Sequence, residues 1–277
     1  MAPVGPSRTA LGVAVHRAVH QLLEGGEIFA DPFARAILGP DSDAFIAERA
    51  SPQHRHMRLF VAVRSRFAQD NLAAAIARGV RQVVVLGAGL DTTALRNPGI
   101  AVFEVDHPAT QEWKRQRLAQ MNIALPAGLR FASMDFEHQD ISKGLARSGF
   151  DAARPAFFVW LGVVPYLTRD AIEATLRFVA SLSGGEIVFD YSEPPENYPL
   201  KQQKRIMALV QRVAALGEPF RSHFDPPAMA VLLKNKGFDE IQDLGPREIG
   251  ARYLGRLFRP ERAGGHVVLA RCSPAHS

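Results

Sequence analysis

Gln82-Val83-Val84-Val85-Leu86-Gly87-Ala88-Gly89-Leu90-Asp91-Thr92-Thr93, followed by Phe103-Glu104-Val105-Asp106, decides the fold of this chain. The first run is apolar without alternation, as in a strand buried on both faces. It ends in a glycine turn that leads into a helix, and a second strand then ends in an acid. This order is the front half of a nucleotide-binding α/β unit. The details restrict the ligand. A dinucleotide fingerprint needs a small residue at its third glycine position and a helix N-terminus open to pyrophosphate. Thr92 stands at that position, and Asp91 puts a carboxylate where phosphate oxygens would lie. Like charge there opposes a diphosphate. The turn suits a ligand with adenosine but no phosphate, of which S-adenosylmethionine is the commonest. Gly87, Ala88 and Gly89 let the backbone pass close beneath it, and Asp91 or Thr92 caps the helix that follows.

Outward from the turn, strand-like segments recur near 82–87, 100–106, 129–134, 156–161, 185–191, 238–244 and 265–270, with helical stretches over 110–121 and 169–183 among them. The alternation implies an α/β fold, a doubly wound, mostly parallel sheet of about seven strands with the last antiparallel. Residues 1–80 read as an N-terminal helical cover, with helices over 9–23, 33–38 and about 53–78 and a turn at Asp31-Pro32. Residues 81–191 and 226–277 form the Rossmann-like core of a single domain. Residues 192–225 are a helical insertion after strand five, and 245–264 a polar, arginine-rich excursion. Ligands of such sheets bind outside the carboxyl ends of the strands, where the cover and the insertion are placed to close over them.

The chain has 277 residues, 47% of them hydrophobic, a net charge of +5 and one cysteine, Cys272. Its length suits one α/β domain with insertions, and a single cysteine excludes an internal disulfide framework. No apolar run approaches the roughly 20 residues of a membrane span, and no secretory leader is evident, so a cytoplasmic location is expected. The basic residues are scattered and carry no nucleic-acid-binding signature, so neither nucleic acid nor membrane is an expected partner. A positive surface still suits an anionic small substrate. No metal site is expected.

Several side chains are placed to act at the strand ends. Asp106 follows Gly87 at close to the spacing at which an acid accepts from ribose hydroxyls. Glu104 on the same strand face is the rival, and His107 borders the site. Asp135, at the end of strand three, is placed to accept from an adenine amino group, with the Phe136 amide donating to the ring. Arg64 falls inside the apolar stripe Met57, Phe60, Val61, Ala68, Leu72 and Ala75 of its helix. A guanidinium there needs a partner, either an acid of the sheet or the carboxylate of a ligand.

The chain resembles the leucine carboxyl methyltransferase-like group of class I S-adenosylmethionine-dependent methyltransferases, which also includes polyketide-biosynthesis carboxyl methyltransferases. The resemblance covers most of the sequence. It rests on Ser7-Arg8-Thr9-Ala10-Leu11, Asp31-Pro32, Val63-Arg64-Ser65-Arg66-Phe67, Gly87-Ala88-Gly89-Leu90-Asp91-Thr92, Phe103-Glu104-Val105-Asp106-His107-Pro108, Gly162-Val163-Val164-Pro165-Tyr166-Leu167 and Phe189-Asp190-Tyr191. It implies that Arg64 binds the cofactor carboxylate, Gly87 and Gly89 pass beneath its methionine part, Asp106 holds the ribose, and Asp135 with Phe136 holds the adenine. Many members carry a glutamate, contacting the cofactor's amino group, where this chain has Leu161, which offers only its backbone carbonyl.

The expected reaction is O-methylation. A carboxylate acceptor is already ionised at neutral pH and needs no general base, whereas a phenol near pKa 10 does. No His or Lys stands in a base motif. His107, His138 and His223 read as loop histidines, and Tyr166 is placed to orient an acceptor. Lys201, Lys204, Arg205 and Arg221 are candidates for attracting an acid. The favoured acceptor is a small-molecule carboxylate of secondary-metabolite or polyketide-like type. The alternatives are phenol or enol O-methylation and a non-catalytic S-adenosylmethionine-binding protein. A nicotinamide oxidoreductase is disfavoured by Asp91 and Thr92.

Overall fold

The apolar runs pair into one seven-stranded sheet. The computed structural model describes residues 7–134, 139–215, 217–255 and 263–273, apart from the Arg205 side chain. Its strands are β1 (Gln82–Leu86), β2 (Ala101–Asp106), β3 (Leu129–Ser133), β4 (Ala156–Trp160), β5 (Glu186–Ser192), β6 (Glu240–Leu244) and β7 (Gly265–Arg271), in the order β3-β2-β1-β4-β5-β7-β6. β1 to β5 are parallel, and β7 runs antiparallel to both β5 and β6. Every expected strand is present within two residues of its expected ends. The direction of winding reverses between β1 and β4, and that switch point opens a crevice at the carboxyl edge.

Both sheet faces are covered, which explains the unbroken apolar strands. Val84, Phe158, Trp160 and Phe189 pack on one side with α7 (Arg169–Ala180) and α9 (Pro226–Lys236). Val83, Val85, Phe157 and Val159 pack on the other against Val63, Phe67 and Leu72 of α3 (Arg55–Ala77). A third cluster joins α1 (Arg8–Leu23) to the glycine loop, with Ala14, Ala18, Ile37 and Leu38 against Leu90 and Leu95. The small side chains of α1 let it lie close over that loop.

Local chemistry sets the helix ends. Ser7 accepts from the Ala10 amide at the start of α1, and Thr168 accepts from the Ala171 amide at the start of α7. The helix expected over 33–38 shrinks to a 3-10 turn, Ala36–Leu38, because the Asp31 carboxylate takes the Phe33 amide and Gly39-Pro40 stops the chain. Four helices were not expected: α2 (Ser42–Arg49), α6 (Ile141–Arg147), α9, and α10 (Pro246–Ile249), which continues as a π-helical turn, Gly250–Leu254. α9 begins at Pro226-Pro227, in the stretch assigned to the core without a helix. Proline is tolerated in the first helical turn, where the amides lack helical partners anyway. The remaining helices are α4 (Thr93–Arg96), α5 (Pro108–Gln120) and α8 (Leu200–Ala215). Among the described residues no helix is long and apolar enough to cross a membrane.

Candidate functional site

The carboxyl edge of the sheet forms the floor of a cavity of about 1130 Å³, roofed by α1, α3, α8 and the chain that follows α8. Ligand pockets usually measure roughly 300–1,000 Å³, so there is room for a cofactor and a second molecule together. Arg64, Gly87, Ala88, Gly89, Asp106, His107, Leu161 and Tyr166 all line it. Asp135, Phe136 and His138 lie outside the described residues.

The glycine turn is held without side chains on the ligand side. Gly87 has φ +62, and a Cβ there would overlap Val163 Cγ2. The Gly89 amide donates to Asp106 Oδ2 at 2.5 Å, and the His107 amide donates to Oδ1 at 2.6 Å. Burial pushes the Asp106 carboxyl up, against the pull of these two amides. Each oxygen keeps a lone pair for an outside donor. Glu104 is spent elsewhere: its Oε2 meets Lys114 Nζ at 2.7 Å, and Lys114 also donates to the Asp91 carbonyl at 2.6 Å. The two acids of β2 thus part company, one toward the cavity and one beneath it.

Of the two residues expected to cap the next helix, Asp91 does so. Its Oδ1 accepts from the Thr93 amide at 2.6 Å, so Asp91, not Thr92, caps α4. Burial works to raise its carboxyl, but Arg17, Arg96 and Lys114 outweigh burial and hold it below the usual carboxylate range. Its charge is therefore largely offset. What disfavours a phosphate is that the carboxylate already occupies the amide of a helix only four residues long. Thr92 instead donates to Asp31 Oδ2 at 2.7 Å, and Arg17 donates to the Leu90 carbonyl at 2.5 Å. These contacts explain the Asp31-Pro32 turn: it anchors the N-terminal cover to the glycine loop.

Arg64 finds an acid of the sheet and still lines the cavity. Its Nη1 donates to Asp190 Oδ2 at 2.7 Å, while Asp190 Oδ1 accepts from the Gly162 amide at 2.5 Å. One buried carboxylate thereby locks α3 to the loop after β4. A Cβ on Gly162 would lie 2.7 Å from Arg64 Nη2, so glycine there gives the guanidinium its place. The partner expected as an acid of the sheet is Asp190, within β5 and inside the Phe189-Asp190-Tyr191 stretch.

Tyr166 ends a 3-10 turn after β4 (Val164–Tyr166), with its ring 5.2 Å from that of Phe220. Burial pushes its phenol up to about 12. It is a hydrogen-bond donor at neutral pH, not a base. His107 is exposed and its Nδ1 accepts from the Ala109 amide, which commits the ring to capping α5. His223 lines the cavity, bonded to the Ser192 hydroxyl at 3.1 Å, and burial lowers its pKa. Lys201 and Lys204 are exposed on α8 and do not line the cavity. Arg221 does, as do Arg49 and Arg212, which the sequence did not single out. Among the described residues, no group of three or more His, Cys, Asp or Glu is placed to hold a metal ion.

Comparison with known proteins places this geometry. The family model described as leucine carboxyl methyltransferase matches residues 10–180. A Bacillus subtilis protein named "Putative S-adenosyl-L-methionine-dependent methyltransferase YktD" is 36% identical over 177 residues, 62% of this chain and 58% of that protein. A Streptomyces coelicolor protein of the same designation is 36% identical over 190 residues, 65% of this chain and 66% of its own length. The chain thus spans less than two thirds of either. A Mycolicibacterium paratuberculosis relative, again so designated, is 32% identical over 259 residues, 86% of this chain and 78% of that protein. Among solved structures, magnesium protoporphyrin IX methyltransferase from Synechocystis with bound SAH superposes with a TM-score of 0.50 at 15% identity, covering 95% of this chain and 100% of that one. A DUF574 family protein from Streptomyces avermitilis gives 0.55 at 16% identity, covering 96% and 98%.

Proposed function

The chain belongs to the leucine carboxyl methyltransferase family of S-adenosylmethionine-dependent methyltransferases, and from that premise we propose that it esterifies a carboxylate of a small-molecule acid. The acid would be of secondary-metabolite or polyketide-like type. The residues present fit the cofactor. The turn at Gly87, held at positive φ and packed against Val163, lines the cavity, Arg64 is a buried cation at the cavity wall, and Asp106 ends β2 with acceptor capacity to spare. In this reading Arg64 holds the cofactor carboxylate, residues 87–89 lie beneath its methionine part, and Asp106 takes the ribose, with His107 at its border. The Leu161 carbonyl faces the ammonium. Asp135 and Phe136 keep the adenine role that the family resemblance implies. Residues 192–225 act as the lid over the acceptor.

When bound, S-adenosylmethionine supplies a methyl on a positively charged sulfur, which a carboxylate oxygen takes in line, the C–S electron pair staying on sulfur and no proton moving. The protein's part is alignment and exclusion of water. The observation that carries the carboxylate reading is Tyr166. Burial keeps it protonated to about pH 12, so it donates to an oxygen that is already anionic and cannot take a proton from one that is not. One observation favours a second reading: the neutral His223 on the cavity wall would serve a phenol as base.

The deciding experiment is transfer of labelled methyl to extracts of the source organism. Label released by mild base supports the ester. Base-stable label that disappears in His223→Gln overturns the ester in favour of a phenolic ether.

A further inference from the structure

The cavity has a second charged end that methyl transfer does not use. His54, Met57, Phe60 and Arg64 all line it. Their spacing puts them on one face of α3 and the turn before it. His54 precedes Arg64 by ten residues, about 15 Å at 1.5 Å per residue, with Met57 and Phe60 between. The wall therefore reads basic, apolar, basic.

Around His54 four segments converge. His16 of α1 stands with its ring 6.1 Å from that of His54, and the Gln53 side-chain nitrogen lies 3.3 Å from His54 Nε2. Arg49 ends α2, and Arg212 comes from α8. Negative charge is short here. Arg58, behind the wall, is matched by Glu24 at 2.7 Å, whereas among the described residues Arg49 pairs with the largely exposed Glu48 at 3.4 Å. His16 is 6% exposed, and among the described residues its Nδ1 has no hydrogen-bond partner. Burial, then Arg49, holds His16 down to about 3, and the same causes in the same order lower His54. A neutral ring with an unmet polar atom, beside two cavity-facing arginines, is what a carboxylate would complete.

We propose that this corner binds a second carboxylate of the methyl acceptor, remote from the oxygen that is methylated. The substrate is then an elongated diacid with an apolar middle, and its product keeps one negative charge. The proposal rests on the esterification reading but fails separately from it.

Calorimetry tests it on the full chain saturated with S-adenosylhomocysteine. The probes are α,ω-dicarboxylates of about eight to fourteen carbons, with lengths up to ~15 Å, the span from His54 to Arg64 along α3, each paired with the monocarboxylate of equal length. At one length the diacid should bind at least about tenfold more tightly. That preference should vanish in Arg49→Met/Arg212→Met while S-adenosylhomocysteine binds as before. Arg212→Gln alone, at an exposed position of the lid helix, should weaken it in the same direction if the double variant does not fold. Equal affinity at every length, no binding of any diacid, or a preference that survives the double variant overturns the corner. Base-labile methylation of monoacids and diacids alike would keep the esterification and remove the corner. Tight diacid binding without base-labile transfer would do the reverse.

Discussion

The two ends of the cavity are built by opposite means. At the glycine turn each charge is matched locally: Asp106 by two backbone amides, Asp190 by Arg64 and the Gly162 amide, and Asp91 by the Thr93 amide and three nearby cations. At the far end His16, Arg49, His54 and Arg212 arrive from separate elements, and among the described residues the arginines outnumber their acids. The first end is preorganised by strands whose carboxyl edges the sheet aligns. The second depends on how the helices of the cover settle. A site that must hold the same cofactor in every relative is naturally built the first way, and one that distinguishes acceptors the second.

The sharpest way to break the contrast is Arg64→Met. It leaves Asp190 buried without its cation, which costs about 3–5 kcal/mol, read as a lowered urea midpoint. Adding Asp190→Asn should recover part of that loss. Unchanged stability in the single variant would mean that the pair does not lock α3 to the sheet.

Gly87→Ala comes next, at about 2–4 kcal/mol, from left-handed backbone and overlap with Val163 together. Val163→Ala in the same chain should return the overlap share and leave the backbone share. Full recovery would show that φ at this turn is not constrained.

Asp106→Asn should weaken S-adenosylhomocysteine binding by ~10–100-fold, the worth of hydrogen bonds to a charged group, as measured by calorimetry. Glu104→Gln should instead lower stability, since it strands Lys114, and leave affinity nearly intact. Equal effects on affinity would erase the division between the two acids of β2.

The other end is read through pH. Burial, then Arg49, lowers the His16 pKa to about 3 when folded, against the ordinary 6.5 of a histidine. Between those values the unfolded chain binds the extra proton, so stability falls as pH drops from about 6.5 toward about 3. The His16 share is roughly 1.4 kcal/mol per pH unit. His16→Gln removes that share, so its urea midpoint should decline less steeply over this window. Parallel wild-type and variant curves would show that His16 is not held neutral.

The central strands β1 and β4 were legible because burial on both faces leaves an unbroken apolar run, and Asp106 because it stands where β2 stops. Arg64 was legible as a cation inside an apolar helical stripe. Its partner was not, because Asp190 is 126 residues away and periodicity has no access to pairing across such a distance. α9 opens on Pro226-Pro227, and proline by itself does not mark a helix start. Arg49 and His54 lay in a basic stretch indistinguishable from a solvated surface.

By itself, then, the sequence determined the sheet, the glycine turn and the adenosyl character of the ligand, since these follow from residue order and spacing along single strands. Only the tertiary structure decided which acid faces the cavity, that Asp91 serves the helix start, and that four distant segments meet at His54. Those outcomes depend on charges finding partners in three dimensions, where desolvation makes an unmatched group costly and so selects the packing.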